Sequence, residues 1–374
     1  MKNPITRRHA LALTSAAFAA SCADNKEVLA QSAPLRPASN LGTWSEGVPL
    51  PFPVQEIYPC AHNGSLHLAG GFVAENDRIS GPTAAHHRWS PANLDGVWTQ
   101  TTSLPFARHH PHLITFRRYL LAFGGFESPK ANAVWKMQST GWSMLNLAFY
   151  SSQLEPYDPE APLPDPETDF TVKTMPTLPA PCAEAVVGVL GDDALHLAGG
   201  RTPKGEANAN WNDHIDTDHH FVLADLNGQW ETAAPCLTKR NSAAGDVIDG
   251  NLHVVGGRTV GGGNVATHEV YDHAEDRWRT AAPMPQAQGG LAAAAVNGKL
   301  YAFGGEFFDN GGGVYPESWM YDPATDKWST LPDMPNPRHG LGAVALDGKI
   351  YVIGGALQAS GVDTSALVEI FTPA

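Results

Sequence analysis

Short apolar runs that end in two glycines recur along the chain at intervals of about fifty residues, a period typical of repeat architectures. The six runs are SLHLAGG, YLLAFGG, ALHLAGG, NLHVVGG, KLYAFGG and KIYVIGG, and their glycines are Gly70, Gly71, Gly124, Gly125, Gly199, Gly200, Gly256, Gly257, Gly304, Gly305, Gly354 and Gly355. A second apolar run and a tight turn such as Asn297-Gly298 precede the pair, because both central residues of a two-residue hairpin need positive φ. A third apolar run follows, and a tryptophan then opens a fourth. The pattern predicts a unit of four antiparallel strands that occurs six times.

Six such units predict an all-β fold, a six-bladed β-propeller. The glycine pairs, the period and the placement of Tyr321 seven residues before Trp328 resemble the kelch repeat. The last unit stops after its third strand, at Val368-Glu369-Ile370-Phe371, while an isolated tryptophan strand stands at Gly42-Thr43-Trp44. We therefore expect the N-terminal strand to close the last blade, which leaves no open sheet edge.

The chain divides into an address, a linker and the propeller. Residues 1–30 carry Lys2, Arg7 and Arg8 ahead of a short apolar run, which resembles a twin-arginine export signal, with an ordinary secretion signal as the alternative. Cys22 lies in a weak match to a lipid-anchor site. Residues 31–41 are predicted to be a linker and residues 42–374 the propeller. The expected location is the periplasm or the exterior of the cell.

Charge and cysteine content narrow the class of partner. The 374 residues contain 24 Lys+Arg and 38 Asp+Glu, a net charge of −14, which argues against nucleic acid and anionic membrane surfaces. Beyond the signal no apolar run has the length of a membrane span. Cys182 and Cys236 are expected to lie on the same face of adjacent blades, so a disulfide between them is possible. No cofactor and no metal ion is expected.

The residue sixteen positions before each glycine pair is predicted to lie near the central pore. The six positions hold Val54, Arg108, Ala183, Arg240, Gln288 and Arg338. Because the arginines fall on alternate blades, three guanidinium groups are expected to converge and clamp a carboxylate, phosphate or sulfate. Bonding to neighbouring loop carbonyls is the alternative role. The next position adds His109, Glu184, Asn241 and His339 to the same rim.

Two long segments are expected on that face. The loop 201–220 of the third blade contains Trp211 and Asp213, which could stack on a sugar and bond its hydroxyls. Its histidines and carboxylates give a weaker signal for a divalent metal. An acidic, proline-rich insertion at about 143–181 is expected between blades two and three, either as an extended cover or as a solvated loop.

Three functions are compatible with the sequence. The first is a binding propeller for a small anionic or polyhydroxyl ligand. The second follows from a resemblance to exported kelch sialic acid mutarotases, which implies Glu306, after Gly305, as the general base; the arginine that the family places six residues later is Gly312 here. The third is a protein–protein scaffold. The linked Tyr–Cys pair of copper radical oxidases is not found.

Overall fold

The computed structural model describes residues 40–92, 96–117, 119–127, 136–137, 141–144, 172–174, 176–191, 194–208 and 210–374. The expected export signal at 1–30, Cys22 and nearly all of the linker at 31–41 lie outside these residues. Residues 38–374 form one compact unit. No helix in the described ranges is long and apolar enough to cross a membrane.

Six four-stranded antiparallel sheets make up the blades. From the inner to the outer strand, blade 1 consists of Cys60–His62, Ser65–Ala69, His86–Trp89 and Thr99–Thr101; blade 2 of His112–Phe116, Tyr119–Phe123, Gly141–Met144 and Val172–Thr174; blade 3 of Val186–Leu190, Ala194–Ala198, His220–Leu223 and Glu231–Thr232; blade 4 of Ala244–Ile248, Asn251–Val255, His268–Asp272 and Arg277–Thr280; blade 5 of Ala292–Val296, Lys299–Phe303, Ser318–Asp322 and Lys327–Thr330; and blade 6 of Gly342–Leu346, Lys349–Ile353, Val368–Pro373 and Gly42–Glu46. We call the four strands of a blade a, b, c and d in this order.

The inner strands form a closed ring. Each a strand contacts the a strand of the next blade, and Gly342–Leu346 of blade 6 contacts Cys60–His62 of blade 1. The N-terminal strand Gly42–Glu46 pairs with Val368–Pro373, and Trp44 lies opposite Phe371. The all-β propeller expected from the repeat is confirmed, and its last blade is completed from the N-terminus.

Loops at the two ends of the strands lie on opposite faces. The d–a and b–c connections share one face, here called the loop face, where the short strands are Val54–Gln55, Phe72–Glu75, Arg78–Pro82, Arg108–His109, Phe126–Glu127, Lys136–Met137, Arg201–Pro203, His214–Asp216, Glu306–Phe307 and Gly313–Val314. Two short 3₁₀ helices, Trp211–Asp213 and Asp309–Gly311, belong to the same loops. The a–b turns and c–d connections share the other face, here called the turn face.

The position expected for the acidic insertion is wrong. Gly141–Met144 and Val172–Thr174 are strands c and d of the same blade and pair with each other. The long connection therefore lies inside blade 2, on the turn face, and not between blades 2 and 3. Most of its residues lie outside the described ranges.

Repeated polar contacts join neighbouring blades. The indole nitrogen of Trp278 donates to Ala234 O at 2.8 Å, and that of Trp328 donates to Ala282 O at 2.8 Å. Asp276 accepts from the Tyr271 hydroxyl at 2.8 Å and from the backbone N–H of Ala234 at 2.9 Å. This explains why tyrosine and tryptophan keep a fixed spacing in the sequence: each belongs to a contact that fixes one blade against the previous one.

Buried histidine pairs join strands b and c in three blades. The pairs are His67–His86 at 2.9 Å, His196–His220 at 2.8 Å and His253–His268 at 3.0 Å. In each pair the strand-c imidazole also lies within 3.2 Å of a backbone carbonyl oxygen. Burial lowers the pKa of all six imidazoles, to about 4 or below. At neutral pH these histidines are uncharged core residues.

Candidate functional site

The predicted arginine clamp is not formed. Arg108, Arg240 and Arg338 are at most 2% exposed. Arg338 pairs with Glu369 at 2.6 Å and donates to Gly354 O at 2.8 Å, and Arg240 pairs with Glu269 at 3.0 Å. Arg108 donates to Gly124 O at 2.6 Å. These guanidinium groups bind their own blades, so the expected convergence on the pore is wrong.

Gln288 and Asn241, two other predicted ligand contacts, also have internal roles. Gln288 is 1% exposed, donates to Gly304 O at 2.9 Å and accepts from the Trp319 indole at 2.8 Å. The Asn241 amide donates to Asp216 at 2.5 Å. Both side chains hold loops in place beneath the loop face.

A ring of backbone hydrogen bonds surrounds the axis at the loop face. It contains one residue from each blade, and we call it the collar: Glu56, His110, Glu184, Ser242, Gly290 and Gly340. The bonds run from Glu56 N to Gly340 O (2.7 Å), from His110 N to Glu56 O (3.0 Å), from Ser242 N to Glu184 O (3.2 Å), from Gly290 N to Ser242 O (3.0 Å) and from Gly340 N to Gly290 O (3.1 Å). The chain crosses from one blade to the next at its narrowest radius here.

All six collar residues have positive φ, between 50° and 71°. Four of them, Glu56, His110, Glu184 and Ser242, carry side chains, and a non-glycine residue in this region costs about 1–2 kcal/mol. Two neighbouring blades use glycine instead. Strained backbone that holds polar side chains in this way is typical of a functional site.

The collar glycines give a matched test of this geometry. An added Cβ on Gly290 would come no closer than 3.8 Å to any atom, whereas one on Gly340 would lie 3.0 Å from the Glu56 carboxyl carbon. We expect Gly290→Ala to lower the free energy of unfolding by about 1–2 kcal/mol, the backbone cost alone. Gly340→Ala should cost more, because Glu56 must also move. Urea unfolding of both variants measures the difference, and equal losses would contradict the packing of Glu56 against Gly340.

Collar side chains form a continuous hydrogen-bonded chain. His110 Nε2 lies 2.7 Å from Glu56 and 3.5 Å from Glu184, and the Ser242 hydroxyl donates to Glu184. His110 Nδ1 lies 2.6 Å from His109 Nδ1. Because a carboxylate can only accept, a neutral His110 donates from Nε2 to Glu56 and accepts from His109 at Nδ1. His109 is fixed in turn between the rings of Phe72 and Phe126, at 3.9 and 4.7 Å.

The residue directly after each glycine pair adds the charged part of the site. Arg201, Arg258 and Glu306 hold this position in blades 3, 4 and 5. Arg258 pairs with Glu306 at 2.6 Å, and Arg201 pairs with Glu184. Glu306 also accepts the backbone N–H of Ser360 at 2.7 Å. His339 Nδ1 lies 3.5 Å from Glu306 and 3.8 Å from Glu56, which connects the two ends of the cluster.

Burial and pairing fix the ionisation of the cluster. Burial disfavours the charged forms of Glu56 and Glu184, but the neighbouring cationic groups prevail and lower both pKa values to about 2. For Glu56 the lowering comes mainly from His110, and for Glu184 from Arg201. Burial also opposes the charge on Arg258, yet Glu306 and Glu184 raise its pKa. Formally, the carboxylates of Glu56, Glu184, Asp216 and Glu306 outnumber the two guanidinium groups.

Trp211 covers the two arginines. The Arg201 guanidinium lies 4.4 Å and that of Arg258 5.4 Å from its ring centroid. The ring is neither buried nor fully exposed, so one side remains available on the loop face. Asp213 caps the short helix of Trp211 by accepting the Asn210 N–H at 2.8 Å. The tryptophan was predicted correctly as a loop-face residue, while Asp213 serves its own loop.

A central cavity lies beyond the collar. It has a volume of about 380 Å³ and is lined by the inner strands of all six blades. Between collar and cavity there is a void of only about 10 Å³, bordered by Glu56, Tyr58 and Ser242. A void of that size holds about one water molecule. The polar cluster and the cavity are therefore separate spaces on the propeller axis.

Among the described residues no group of three or more His, Cys, Asp and Glu side chains could hold a metal ion. The histidines and carboxylates of loop 201–220 are engaged with protein partners instead: His214 lies 3.2 Å from Arg201, and Asp216 accepts from Asn241. The suggested disulfide is also not formed, because Cys182 and Cys236 are free thiols. Cys182 Sγ contacts Gly199 O at 3.7 Å, and burial raises its pKa to about 12.

These features define a kelch-repeat β-propeller with a closed polar centre on its loop face. The chain belongs to the kelch-repeat family: residues 168–367, more than half of its length, match the KLHDC2/KLHL20/DRC7 Kelch-repeats domain. The solved structure of YjhT matches with a TM-score of 0.66 and 15% identity, covering 86% of this chain and 95% of that chain. At this identity the likeness shows the fold alone. No curated protein matches the chain.

Sequence reasoning missed four members of the site. Glu56, His110, Arg201 and Arg258 were not selected, although one rule finds the last two: the residue after each glycine pair faces the axis. Counting back sixteen residues also failed in blade 3. Its a–b turn spans 191–193, one residue longer than the 249–250 turn of blade 4, so Cys182 rather than Ala183 is the equivalent of Arg240. For the same reason Glu184 belongs to the collar.

Proposed function

We propose that the loop face binds a small polyhydroxyl ligand of the sugar type. The carrying observation is the combination, at one centre, of the half-buried Trp211 ring with four carboxylates that outnumber two arginines. Carboxylates accept hydrogen bonds from hydroxyl groups, and an indole face packs against the apolar face of a sugar ring. The charge balance disfavours an anion, so neutral sugars are the preferred class and sugar acids the weaker one.

Each polar group of the site is already held in place. Arg258 is positioned by Glu306, and Glu306 by the Ser360 N–H. Glu56 is positioned by His110, and its side chain is 19% exposed, more than those of Glu184 and Glu306. Ligand binding therefore needs little ordering of side chains, which limits its entropic cost. Glu56, Arg258 and Trp211 are the proposed contacts.

Calorimetric titration with matched pairs tests the proposal: glucose against glucuronate, and galactose against galacturonate. We expect the neutral member of at least one pair to bind about tenfold more tightly. Trp211→Ala should weaken this binding about tenfold, and Trp211→Phe should retain most of it. Arg277→Ala, on the exposed outer strand of blade 4, is the control and should change nothing. A preference for the acids, or binding unaffected by Trp211→Ala, would contradict the proposal.

A sugar mutarotase is the second candidate, favoured by the His110–Glu56 pair at 2.7 Å. A neutral imidazole beside a carboxylate can accept and return a proton, as anomer exchange requires. Glu306, the base implied by the mutarotase resemblance, is 2% exposed and bound to Arg258, so its role in proton transfer has less support. Exchange spectroscopy of the anomers of any bound sugar separates a catalyst from a binder. Export by the signal-like residues 1–30 is a further proposal, which cell fractionation tests.

A further inference from the structure

The central cavity differs in chemistry from the loop face. Its wall consists mainly of alanine, valine, glycine, leucine and isoleucine side chains from all six inner strands. A cavity of about 380 Å³ falls in the size range of small-ligand sites. The collar and the void of about 10 Å³ separate it from the polar cluster, so a ligand would enter from the turn face.

One lining residue carries a formal charge. Asp246 is partly exposed to the cavity, and its two carboxylate oxygens accept the backbone N–H groups of Val247 and Ala295, each at 2.7 Å. Ala295 belongs to blade 5, so the carboxylate is held across the seam between two blades. No lysine, arginine or histidine lines the cavity except His112, and burial lowers the pKa of His112 to about 3, which leaves it uncharged.

An uncompensated carboxylate in an apolar wall favours a cation with an apolar body. Coulomb attraction between unit charges about 4 Å apart is worth about 4 kcal/mol at the effective dielectric of a partly buried site. Tyr58 lines the wall in blade 1, across the ring from blade 4, and its ring can add a cation–π contact. Burial raises the pKa of Asp246, as expected for a carboxylate that lacks a cationic partner.

We propose that the central cavity is a second binding site, which takes a small organic ammonium ion with Asp246 as its counter-ion. This site is independent of the sugar site on the loop face, because the collar lies between them. Binding of either ligand can therefore fail without affecting the other.

Choline and its neutral isostere 3,3-dimethylbutan-1-ol are the probes. Titration of the full chain should show at least tenfold tighter binding of choline, and amide resonances of Val247 and Ala295 should shift. Asp246→Asn keeps one hydrogen-bond acceptor and should abolish the preference, whereas Trp211→Ala should leave it unchanged. Equal binding of both probes, or resonance shifts confined to residues 210–216 on the loop face, would overturn the proposal. The comparison on the unaltered protein remains decisive if Asp246→Asn fails to fold.

Discussion

Replacement of Arg338 by methionine should lower the free energy of unfolding by about 3–5 kcal/mol. The guanidinium is completely buried and pairs with Glu369, so the variant leaves a buried carboxylate without its cation. Asn336, which donates to the other oxygen of Glu369 at 2.7 Å, cannot replace the lost charge. Urea unfolding monitored by tryptophan fluorescence gives the value.

Two controls separate this loss from general sensitivity to mutation. Arg277, whose side chain is 69% exposed, pairs with Glu275 on the surface, and Arg277→Met should cost less than about 0.5 kcal/mol. The double variant Arg338→Met, Glu369→Leu removes both charges and should recover much of the stability. If Arg338→Met were as mild as Arg277→Met, the guanidinium could not be a structural element and the pore-facing clamp would have to be reconsidered.

Acidification from pH 7 to pH 5 should destabilise the protein by several kcal/mol. The six paired imidazoles have pKa values of about 4 or below in the folded chain and about 6.5 when unfolded. The unfolded chain therefore takes up protons below pH 6.5 that the folded chain excludes, and stability falls as the pH is lowered through this window. The loss is about 2 kcal/mol per imidazole, or at least about 6 kcal/mol if one imidazole of each pair resists protonation.

Blade 5 supplies the matched variant for this effect. Tyr301 and Ser318 hold the strand positions that His253 and His268 hold in blade 4. The variant His253→Tyr, His268→Ser should lose about one third less stability between pH 7 and pH 5. Glu56 and Glu184, with pKa values of about 2, stay ionised in this window and do not contribute. An unfolding free energy that is constant over the two pH units would show that the imidazoles are accessible to protons.

The fold could be predicted because its repeat consists of positions that tolerate few residues. Gly71 has a φ of +98°, and a Cβ there would lie 2.5 Å from Ile57. Glycine is therefore obligatory at that point in each blade, and its recurrence marks the repeat unambiguously. The tryptophan and tyrosine positions recur for a similar reason, because they form the contacts between blades. The acidic insertion was misplaced because an apolar run cannot reveal whether it is strand c or strand d.

The site was harder to predict because side-chain direction depends on pairing that the sequence does not state. Arg240 and Arg338 are neutralised by Glu269 and Glu369, each the second residue of strand c in its own blade. Blade 5 has Gln288 and Trp319 at the same two positions, and these also bond each other. This covariation between repeats is a signal that could have identified the arginines as structural. The collar left no such signal, because positive φ at Glu56, His110 and Glu184 is not encoded by glycine.

The account's central claim is that the loop face, and not the buried arginines, forms the ligand site. Hydrogen–deuterium exchange with and without the tightest-binding sugar tests it most directly. We expect slower exchange in residues 210–216, 258–264, 306–315 and 357–363, the loops that surround Trp211, Arg258 and Glu306. Protection confined to the a–b turns and c–d connections of the turn face, with these loops unchanged, would contradict the claim.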